Sequence, residues 1–311
     1  MVKPTFVVLV PLVALLGCTS PLSVTPPTGD AGADASDAPD APDAPDASDA
    51  STTCAAPCAV GELCINGACT PVDTLDLEIK ETVVQPGAGA TIDNSARACG
   101  SLAAAAWTPV LPAPLAEEGA CKVWSYEPGS IAPGPVVKQV APGGVKVTTP
   151  TGMFPLQTMG TGCATAAPQL VLFTQSGVAA FDGDGAGHFP AFHLEITPPA
   201  PVGLASGPLV RGQPFPLTWN ASAAGAAIGL DVFTIAKQGA TTTPPWIHCE
   251  VPDTGAYTIP ASLTALLDPE STFANVLGSR ATRAVQAPAS DQVVIVAGVT
   301  RTDQLLVDYT P

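Results

Sequence analysis

Short stretches of alternating apolar and polar residues recur along the chain from residue 73 onward. Residues 75–83 alternate apolar and polar residues, with Glu81 as the one exception, as expected for a strand with one buried face. Similar short runs follow: GVKVTT, QLVLF, FHLEIT, FPLTW and IGLDVFTIA. Pro and Gly separate these runs, and only residues 260–268 have a helix-like pattern. Because no regular alternation of strands with long helices is present, the pattern predicts an all-β fold of antiparallel β-sandwiches.

Two features subdivide this β-rich region. The C-terminal segment DQVVIVAGVTRTDQLLVDYT has two apolar runs on either side of residues 300–303, which predicts a hairpin that turns there. The stretch TPPAPVGLASGP is rich in Pro and Gly and indicates a boundary near residue 200. We therefore predict a β-rich domain over residues 73–199 and a second sandwich over residues 200–311, with a single continuous sandwich as the alternative.

Two short motifs in the second of these regions carry a family resemblance. GQPFPLTW places a glycine before an apolar residue and a tryptophan, and TGAYTIP places a glycine before a tyrosine and a proline. Together they resemble Ig-like β-sandwich domains of the KNH type, which occur in Ser/Thr-rich cell-wall and surface proteins. The resemblance implies an Ig-like sandwich without catalysis, and Cys249 departs from the family pattern. The matching residues are Gly212, Leu217, Trp219, Gly255, Tyr257 and Pro260.

The N-terminus has the pattern of an export signal. Lys3 precedes an apolar run over residues 6–16. As a helix this run would reach about 16 Å, roughly half of the ~30 Å hydrocarbon core of a bilayer, so residues 1–17 are predicted to be a signal peptide rather than a membrane span. LLGC, which ends at Cys18, resembles the bacterial lipobox. An ordinary secretion signal with a chance cysteine is the alternative.

The lipobox resemblance implies a specific location. In that family the signal is removed before the cysteine, here Cys18, and acyl chains on this residue hold the protein in a membrane. Stable anchoring requires two or more hydrophobic chains, which a lipidated cysteine provides. In lipoproteins of Gram-negative bacteria an aspartate after this cysteine can favour inner-membrane retention. Here the residue is Thr19, and the resemblance therefore implies an outer-membrane lipoprotein.

Residues 18–53 are predicted to be a disordered tether. Aspartate occurs at every third position over residues 34–49, separated by Ala with Pro or Ser, and no side chain there can form a core. In polyproline II, with about 3.1 Å per residue, these carboxylates would lie ~9 Å apart, too far for two of them to chelate one cation. A solvated spacer is favoured over a calcium-binding repeat. The composition resembles that of envelope proteins of high-GC bacteria such as myxobacteria.

The net charge of −16 is partly a property of the tether. Residues 30–49 contain seven of the 27 acidic residues, and residues 51–311 have 20 acidic against 10 basic residues. The region after the tether is therefore mildly acidic. This charge argues against nucleic acid or an anionic lipid surface as a partner.

Eight cysteines remain after Cys18, and an even number in an exported chain indicates four disulfides. Four of them lie close together in residues 54–72, a stretch too short to bury a core. This pattern resembles EGF-like or Dickkopf-like knots. Three disulfide pairings are possible, and we favour the first cysteine with the third and the second with the fourth. A zinc site is the alternative to disulfides. The knot acts either as a rigid collar between tether and β-rich region or as a protein-binding knob. Its cysteines are Cys54, Cys58, Cys64 and Cys69.

The other four cysteines are spread through the β-rich region. Cys99 and Cys121 are the nearest two in sequence, and we expect them to pair. Cys163 and Cys249 are then expected to form the second disulfide. With all eight thiols bonded, a cysteine nucleophile is not predicted.

Little in the sequence indicates catalysis. No nucleophile elbow, zinc-protease helix, phosphate-binding loop or dinucleotide motif is present. The stretch FDGDGAGHFPAFH offers Asp182, Asp184 and His188 as weak candidates for a metal site, but it lacks the further oxygen ligands of a calcium loop. We predict instead that this stretch forms a hairpin turn at Asp-Gly. No cofactor is predicted.

Two further groups of residues are candidate sites. His248 and Glu250 share one face of a predicted strand and could act as an acid–base pair, or be surface residues. The four tryptophans could form a sugar-stacking platform, or pack in the core. They are Trp107, Trp124, Trp219 and Trp246. We therefore expect a non-enzymatic binding or scaffold protein of the envelope, with a protein or glycan partner; a glycan-processing enzyme and a plain structural spacer are the alternatives.

Overall fold

The computed structural model describes ten stretches of the chain, namely residues 62–65, 68–85, 91–102, 113–125, 138–159, 162–166, 177–222, 226–235, 244–286 and 293–311. The signal peptide, the lipidation of Cys18, the tether, and the cysteines Cys54 and Cys58 lie outside the described residues. For Cys64 the backbone alone is described. These predictions are therefore not tested by the fold.

Within these stretches the chain forms 21 strands and one helical turn, so the all-β prediction is confirmed. The turn, α1 (Ala261–Thr264), lies in the segment predicted to be helical. The strands are β1 (Glu62–Ile65), β2 (Ala68–Pro71), β3 (Asp73–Gln85), β4 (Thr91–Ser101), β5 (Ala116–Glu118), β6 (Cys121–Trp124), β7 (Gln139–Val140), β8 (Val145–Thr149), β9 (Gly152–Pro155), β10 (Gln157–Met159), β11 (Cys163–Thr165), β12 (Ala179–Gly183), β13 (Phe192–Ile196), β14 (Ala205–Ser206), β15 (Leu209–Val210), β16 (Phe215–Thr218), β17 (Ala227–Thr234), β18 (Trp246–Pro252), β19 (Ala256–Ile259), β20 (Phe273–Gln286) and β21 (Val293–Thr310).

One large sheet organises the fold. Its strands lie in the order β10-β11-β4-β3-β21-β20-β17-β18-β6-β5, with β7 beside β4 and β15 beside β21. Two smaller sheets have the orders β13-β12-β8-β9 and β14-β16-β19, and β1 pairs with β2. Antiparallel pairing dominates, as predicted, but β21 runs parallel to both β3 and β15.

The two smaller sheets pack against the large sheet and enclose two hydrophobic cores. The N-terminal core joins β3, β4 and the first half of β21 to β8, β12 and β13. The C-terminal core joins β6, β17, β18, β20 and the end of β21 to β16 and β19. The molecule is thus a sandwich with a shared large sheet and two separate covering sheets.

Strand β21 passes through both cores, and the predicted hairpin at residues 300–303 is wrong. Odd-numbered residues of β21 face inward along its whole length: those from Val293 to Val299 enter the N-terminal core, and Val307 and Tyr309 enter the C-terminal core. Between them Arg301 and Asp303 are buried on the same face. The polar residues interrupt the apolar pattern because the strand crosses from one core to the other, and not because it turns.

Residues 197–204, which the sequence indicated as a boundary, are bonded to this polar crossing. Three prolines deprive the segment of N–H groups, while its carbonyl oxygens still need donors. Arg280 Nη1 donates to two of these carbonyls at 2.7 and 3.2 Å, and Arg301 Nη1 donates to a third at 2.9 Å. Asp303 Oδ2 accepts the N–H of Leu204 at 2.9 Å. We call residues 197–204 the junction segment.

Strand pairing extends across the sequence boundary near residue 200. β6 pairs with β18, and β3 pairs with β21, so the large sheet takes strands from both sides of that boundary. The division into residues 73–199 and 200–311 stays a prediction. The sheet order shows that hydrogen bonding joins the two parts continuously.

The disulfides of the β-rich region differ from the predicted pairs. Cys99 bonds to Cys163 and Cys121 bonds to Cys249, so the expected pairing of neighbours in sequence is wrong. In each disulfide the two residues lie directly opposite each other on adjacent antiparallel strands. The register of distant strands, rather than separation along the chain, decided which cysteines meet. Cys69 is also disulfide-bonded, and the pairing of the knot stays a prediction.

Candidate functional site

The three weak metal candidates do not converge. Asp184 Oδ1 accepts two backbone N–H groups at 3.1 and 2.9 Å and so fixes its own loop. His188 Nε2 lies 2.5 Å from Asp73 of β3, and Asp182 pairs at 2.7 Å with His193, its neighbour across the β12–β13 hairpin. The predicted hairpin is confirmed. No three His, Cys, Asp or Glu side chains among the described residues are placed to hold a metal ion.

Each of the three histidines contacts an aspartate, but they differ in burial. The side chains of His188 and His193 are 41% and 59% exposed, whereas that of His248 is 22% exposed. For His193 the hydrogen bond with Asp182 is the largest cause of its raised pKa. His248 packs beside the rings of Trp124 and Trp246. It is therefore the best candidate for a preorganised polar site.

The cluster around His248 is organised by Asp231. Asp231 Oδ1 lies 2.7 Å from His248 Nδ1 and accepts Trp246 Nε1–H at 2.8 Å, because β17 and β18 place these side chains on neighbouring positions. Burial lowers the pKa of His248, but the hydrogen bond and charge of Asp231 and the charge of Glu250 outweigh it, and the net pKa is raised. The partner of His248 is therefore Asp231, and Glu250 acts on it through charge.

The tryptophans do not form an open platform. Trp124 and Trp246 lie opposite each other on β6 and β18 with ring centroids 5.3 Å apart, and each is 8% exposed. Trp219 lies in the C-terminal core and donates to Asp253 at 2.7 Å. Trp107 lies outside the described residues. A stacked sugar needs an exposed ring face, which this buried pair does not offer.

Beside this pair, the outer face of the large sheet carries an apolar cluster. Its core-facing residues alternate with outward ones, so β17, β20 and β21 each project apolar side chains away from the C-terminal core. Ile235, Phe273 and Leu306 are 45%, 45% and 48% exposed, and Phe233 and Leu277 are half-buried. We call these residues the outer patch. Strand register places Ile235 next to Phe273, and Phe233 and Leu306 on either side of Asn275.

Sequence reasoning missed the outer patch. The run IGLDVFTIA was interpreted as a half-buried strand, whereas Phe233 and Ile235 are apolar residues on its outward face. The signal was present, because the second half of this strand is apolar on both faces. What the sequence does not show is that the outward residues of β20 and β21 lie beside them.

The two Ig-like motifs meet in the small sheet of the C-terminal core. Leu217 of β16 lies opposite Tyr257 of β19, and the N–H of Trp219 donates to the carbonyl of Gly255 at 2.9 Å. Gly212 and Gly255 have φ values of +72° and +95°, in the left-handed region that favours glycine. These motif residues therefore have structural roles in turns and strand pairing.

Comparison with known proteins gives no further assignment. Neither a scan against protein-family models nor a search of the curated proteins found a match to this chain. Among the described stretches, the short turn α1 is far below the length and apolarity that a membrane-spanning helix needs, and no other helix meets these requirements.

Proposed function

We propose that this chain is an outer-membrane lipoprotein that acts as a non-catalytic binding module of the cell envelope. The LLGC sequence supports lipid anchoring at Cys18, and Thr19 supports the outer membrane. The Asp-rich tether would hold the sandwich away from the bilayer, since its charges repel one another and extend the chain. The binding surface is the outer patch.

The single observation that supports binding is the exposure of the outer patch. Three large apolar side chains, each close to half exposed, lie together on a regular sheet face. Contiguous exposed apolar surface marks interaction sites in soluble proteins. Asn275 Oδ1 accepts Gln304 Nε2–H at 2.9 Å within this face, so these two side chains already have a partner for one donor and one acceptor if the face is covered.

The chemistry of the outer patch favours a protein partner over a glycan. Aromatic and aliphatic side chains characterise the centres of protein interfaces. A glycan would need exposed aromatic faces and convergent polar groups, and the nearby Trp124 and Trp246 rings are buried. The partner is therefore an envelope protein with a complementary apolar surface.

A comparison of variants tests the binding role. Phe273→Ser with Leu306→Ser removes the exposed centre of the outer patch, and Met153→Ser removes an exposed apolar residue of β9, at 60% exposure, as a matched control. Full-length wild type and variants are cross-linked in isolated envelopes and the bound proteins are quantified. We expect a partner whose recovery falls at least tenfold in the double variant and is unchanged in the control. Equal recovery from all three, or no partner at all, contradicts the proposal and favours the enzyme or spacer alternatives.

The anchor has its own test. Cys18→Ala removes the acylated thiol, and the protein should move from the membrane fraction to the soluble fraction. The Thr19→Asp variant, which keeps Cys18, should shift from the outer membrane toward the inner membrane. Persistence of the Cys18→Ala variant in membranes contradicts lipid anchoring without affecting the result for the outer patch.

A further inference from the structure

The two disulfides of the β-rich region lie in different environments. Cys121 and Cys249 are fully buried in the C-terminal core. Cys99 and Cys163 are partly exposed, because the neighbouring Ala98 points into the N-terminal core and the disulfide therefore lies on the outer face of the large sheet. A reductant in solution can therefore approach Cys99–Cys163 but not Cys121–Cys249.

The strand that holds Cys163 is weakly attached. β11 has three residues, which pair with β4 on one side and with the short β10 on the other. β10 is the terminal strand of the large sheet. Breaking the disulfide leaves β11 attached to β4 by a three-residue ladder, by one backbone hydrogen bond on either side of it and by the buried Ala164. Local opening here is therefore confined to the edge of the sheet.

A carboxyl group lies beside this disulfide. Asp76 of β3 is directly opposite Cys99 of β4, on the same outer face. Directly opposed side chains have Cβ atoms about 4.5–5.5 Å apart. On its other side β3 pairs with β21, where Val296 is opposite Asp76. Asp76 is thus flanked in the sheet by Cys99 on one side and by Val296 on the other.

The charged groups around Asp76 leave its carboxyl able to keep a proton. Burial is the largest effect and raises the pKa of Asp76, and the charge of Glu78 raises it further. Arg97, Arg283 and Lys80 lower it, but the net pKa is above the usual value. The carboxyl can therefore donate a proton at higher pH than an exposed aspartate.

We propose that Cys99–Cys163 is a site of thiol–disulfide exchange with a dithiol reductant, with Asp76 placed to protonate the departing Cys99 sulfur. Cys121–Cys249 is then the structural bond that persists when the first is reduced. Partly exposed disulfides are the ones that take part in exchange. Reduction of this bond leaves the β10–β11 edge held by strand pairing and by the packing of Ala164, without a covalent link to β4.

The exchange takes place in two successive displacement reactions at sulfur. A thiolate of the dithiol attacks Cys163 Sγ, the Cys99–Cys163 bond breaks, and Cys99 leaves with the electron pair and takes the proton of Asp76. The second thiolate of the reductant then attacks the reductant sulfur of the mixed disulfide and releases Cys163 as a thiolate. Water protonates Cys163 and returns a proton to Asp76. The protein disulfide gains two electrons, and the dithiol becomes a disulfide.

The first test compares the two bonds in one molecule. The oxidised full chain is incubated with dithiothreitol under native conditions, free thiols are trapped with iodoacetamide at intervals, and the peptides are quantified by mass spectrometry. We expect Cys99 and Cys163 to be alkylated at least tenfold faster than Cys121 and Cys249. Equal rates, or faster reduction of the buried bond, overturns the proposal.

The second test addresses Asp76. Reduction rates of Cys99–Cys163 are measured across pH 5–8 and normalised to dithiothreitol thiolate, in wild type, Asp76→Asn and the control Asp93→Asn, an exposed carboxyl of β4. In wild type and the control the normalised rate should rise as pH falls, and in Asp76→Asn it should be flat and several-fold lower at pH 5. Identical profiles in all three proteins exclude the proton-donor role.

Discussion

The two cores share strand β21 but are closed in different ways. In the N-terminal core the large sheet contributes four alanines beside its leucines, isoleucines and valines, and three phenylalanines fill the space from the opposite side. In the C-terminal core both sheets contribute large aliphatic residues, and a disulfide lies inside. The small residues of the N-terminal core are Ala96, Ala98, Ala164 and Ala297, and its phenylalanines are Phe181, Phe189 and Phe192.

The buried carboxylates on the two sides of the junction also differ in how completely they are hydrogen-bonded. Asp253 accepts hydrogen bonds from Arg280 Nε and Nη2 at 2.6 and 2.8 Å and from Trp219 Nε1, so both oxygens are satisfied. On the N-terminal side Glu81 Oε1 lies 3.1 Å from Arg301 Nε, and within the described residues Glu81 Oε2 has no hydrogen-bond partner. At the junction, the buried carboxylate on the C-terminal side is therefore more completely hydrogen-bonded than the one on the N-terminal side.

The largest effect is expected from the buried pair that closes the C-terminal core. Arg280→Met leaves the Asp253 carboxylate buried without its cation and removes two donors from the junction segment. Loss of one partner of a buried ion pair costs about 3–5 kcal/mol. We expect that decrease in the free energy of unfolding, measured by urea denaturation.

A matched control lies on the same strand. Arg283 of β20 is exposed on the outer face, and Arg283→Met should change the free energy of unfolding by no more than about 0.5 kcal/mol. If the two variants are equally stable, the bonds of Arg280 to Asp253 and to the junction segment do not hold the cores together.

A smaller effect tests the packing of the N-terminal core. A Cβ at Gly100 would overlap the ring of Phe189, which is buried, and would lie 2.5 Å from the carbonyl oxygen of Val140. Gly100→Ala should therefore cost about 1–3 kcal/mol through overpacking. Gly207→Ala is the control, because a Cβ there meets nothing within 4 Å. Equal melting temperatures for both variants would show that the phenylalanine can move aside.

The fold class followed from the sequence because period-two alternation is a local property. The runs at residues 75–83 and IGLDVFTIA became β3 and most of β17, and the Asp-Gly stretch became the β12–β13 hairpin. Each of these predictions needs a few neighbouring residues. Burial of one face of a strand is enough to produce the pattern.

Properties that depend on distant pairing were not predictable. The polar residues Arg301 and Asp303 have the composition of a turn, and their burial is visible when Arg280 and the junction segment are placed beside them. The disulfide partners and the outer patch depend likewise on strand register over long separations. Local composition carries no information about which strands become neighbours.

The response to acid should differ between the two sides of the junction. Burial raises the pKa of Asp253, but hydrogen bonds from Arg280, Ser222 and Trp219 and the charge of Arg280 lower it to about 2. Its stabilisation is present above about pH 4 and is lost as pH falls toward 2, a loss of about 2 kcal/mol. Asp253→Asn should abolish this decrease, measured by urea unfolding between pH 7 and pH 2.5.

Glu81 should act with the opposite sign. Burial is the main cause of its raised pKa, and the charge of Asp303 adds to it while Arg301 opposes it. Ionised Glu81 therefore destabilises the folded state, and acidification through its folded pKa relieves this cost. Glu81→Gln should remove the rise in stability on mild acidification and leave the later loss at Asp253 unchanged. If both variants have the wild-type pH profile, the two sides of the junction do not differ electrostatically.

The smallest effect concerns ion pairs on the outer face of the large sheet. On the N-terminal side Glu78 contacts Arg97 at 2.5 Å and Lys80 at 3.1 Å, whereas at the C-terminal edge Lys122 and Glu117 are 3.6 Å apart and half exposed. Exposed pairs contribute about 0–1 kcal/mol and are screened by salt. We expect Glu78→Gln to cost up to about 1 kcal/mol in low salt and less in 0.5 M NaCl, and Lys122→Met to cost less than Glu78→Gln at either salt concentration. The N-terminal core has its disulfide on the outer face, and Glu81 Oε2 lacks a hydrogen-bond partner among the described residues. A measurable contribution from Glu78 would show that this side of the molecule depends more on its surface charges. Equal and negligible effects of the two variants would leave packing as the difference between the two cores.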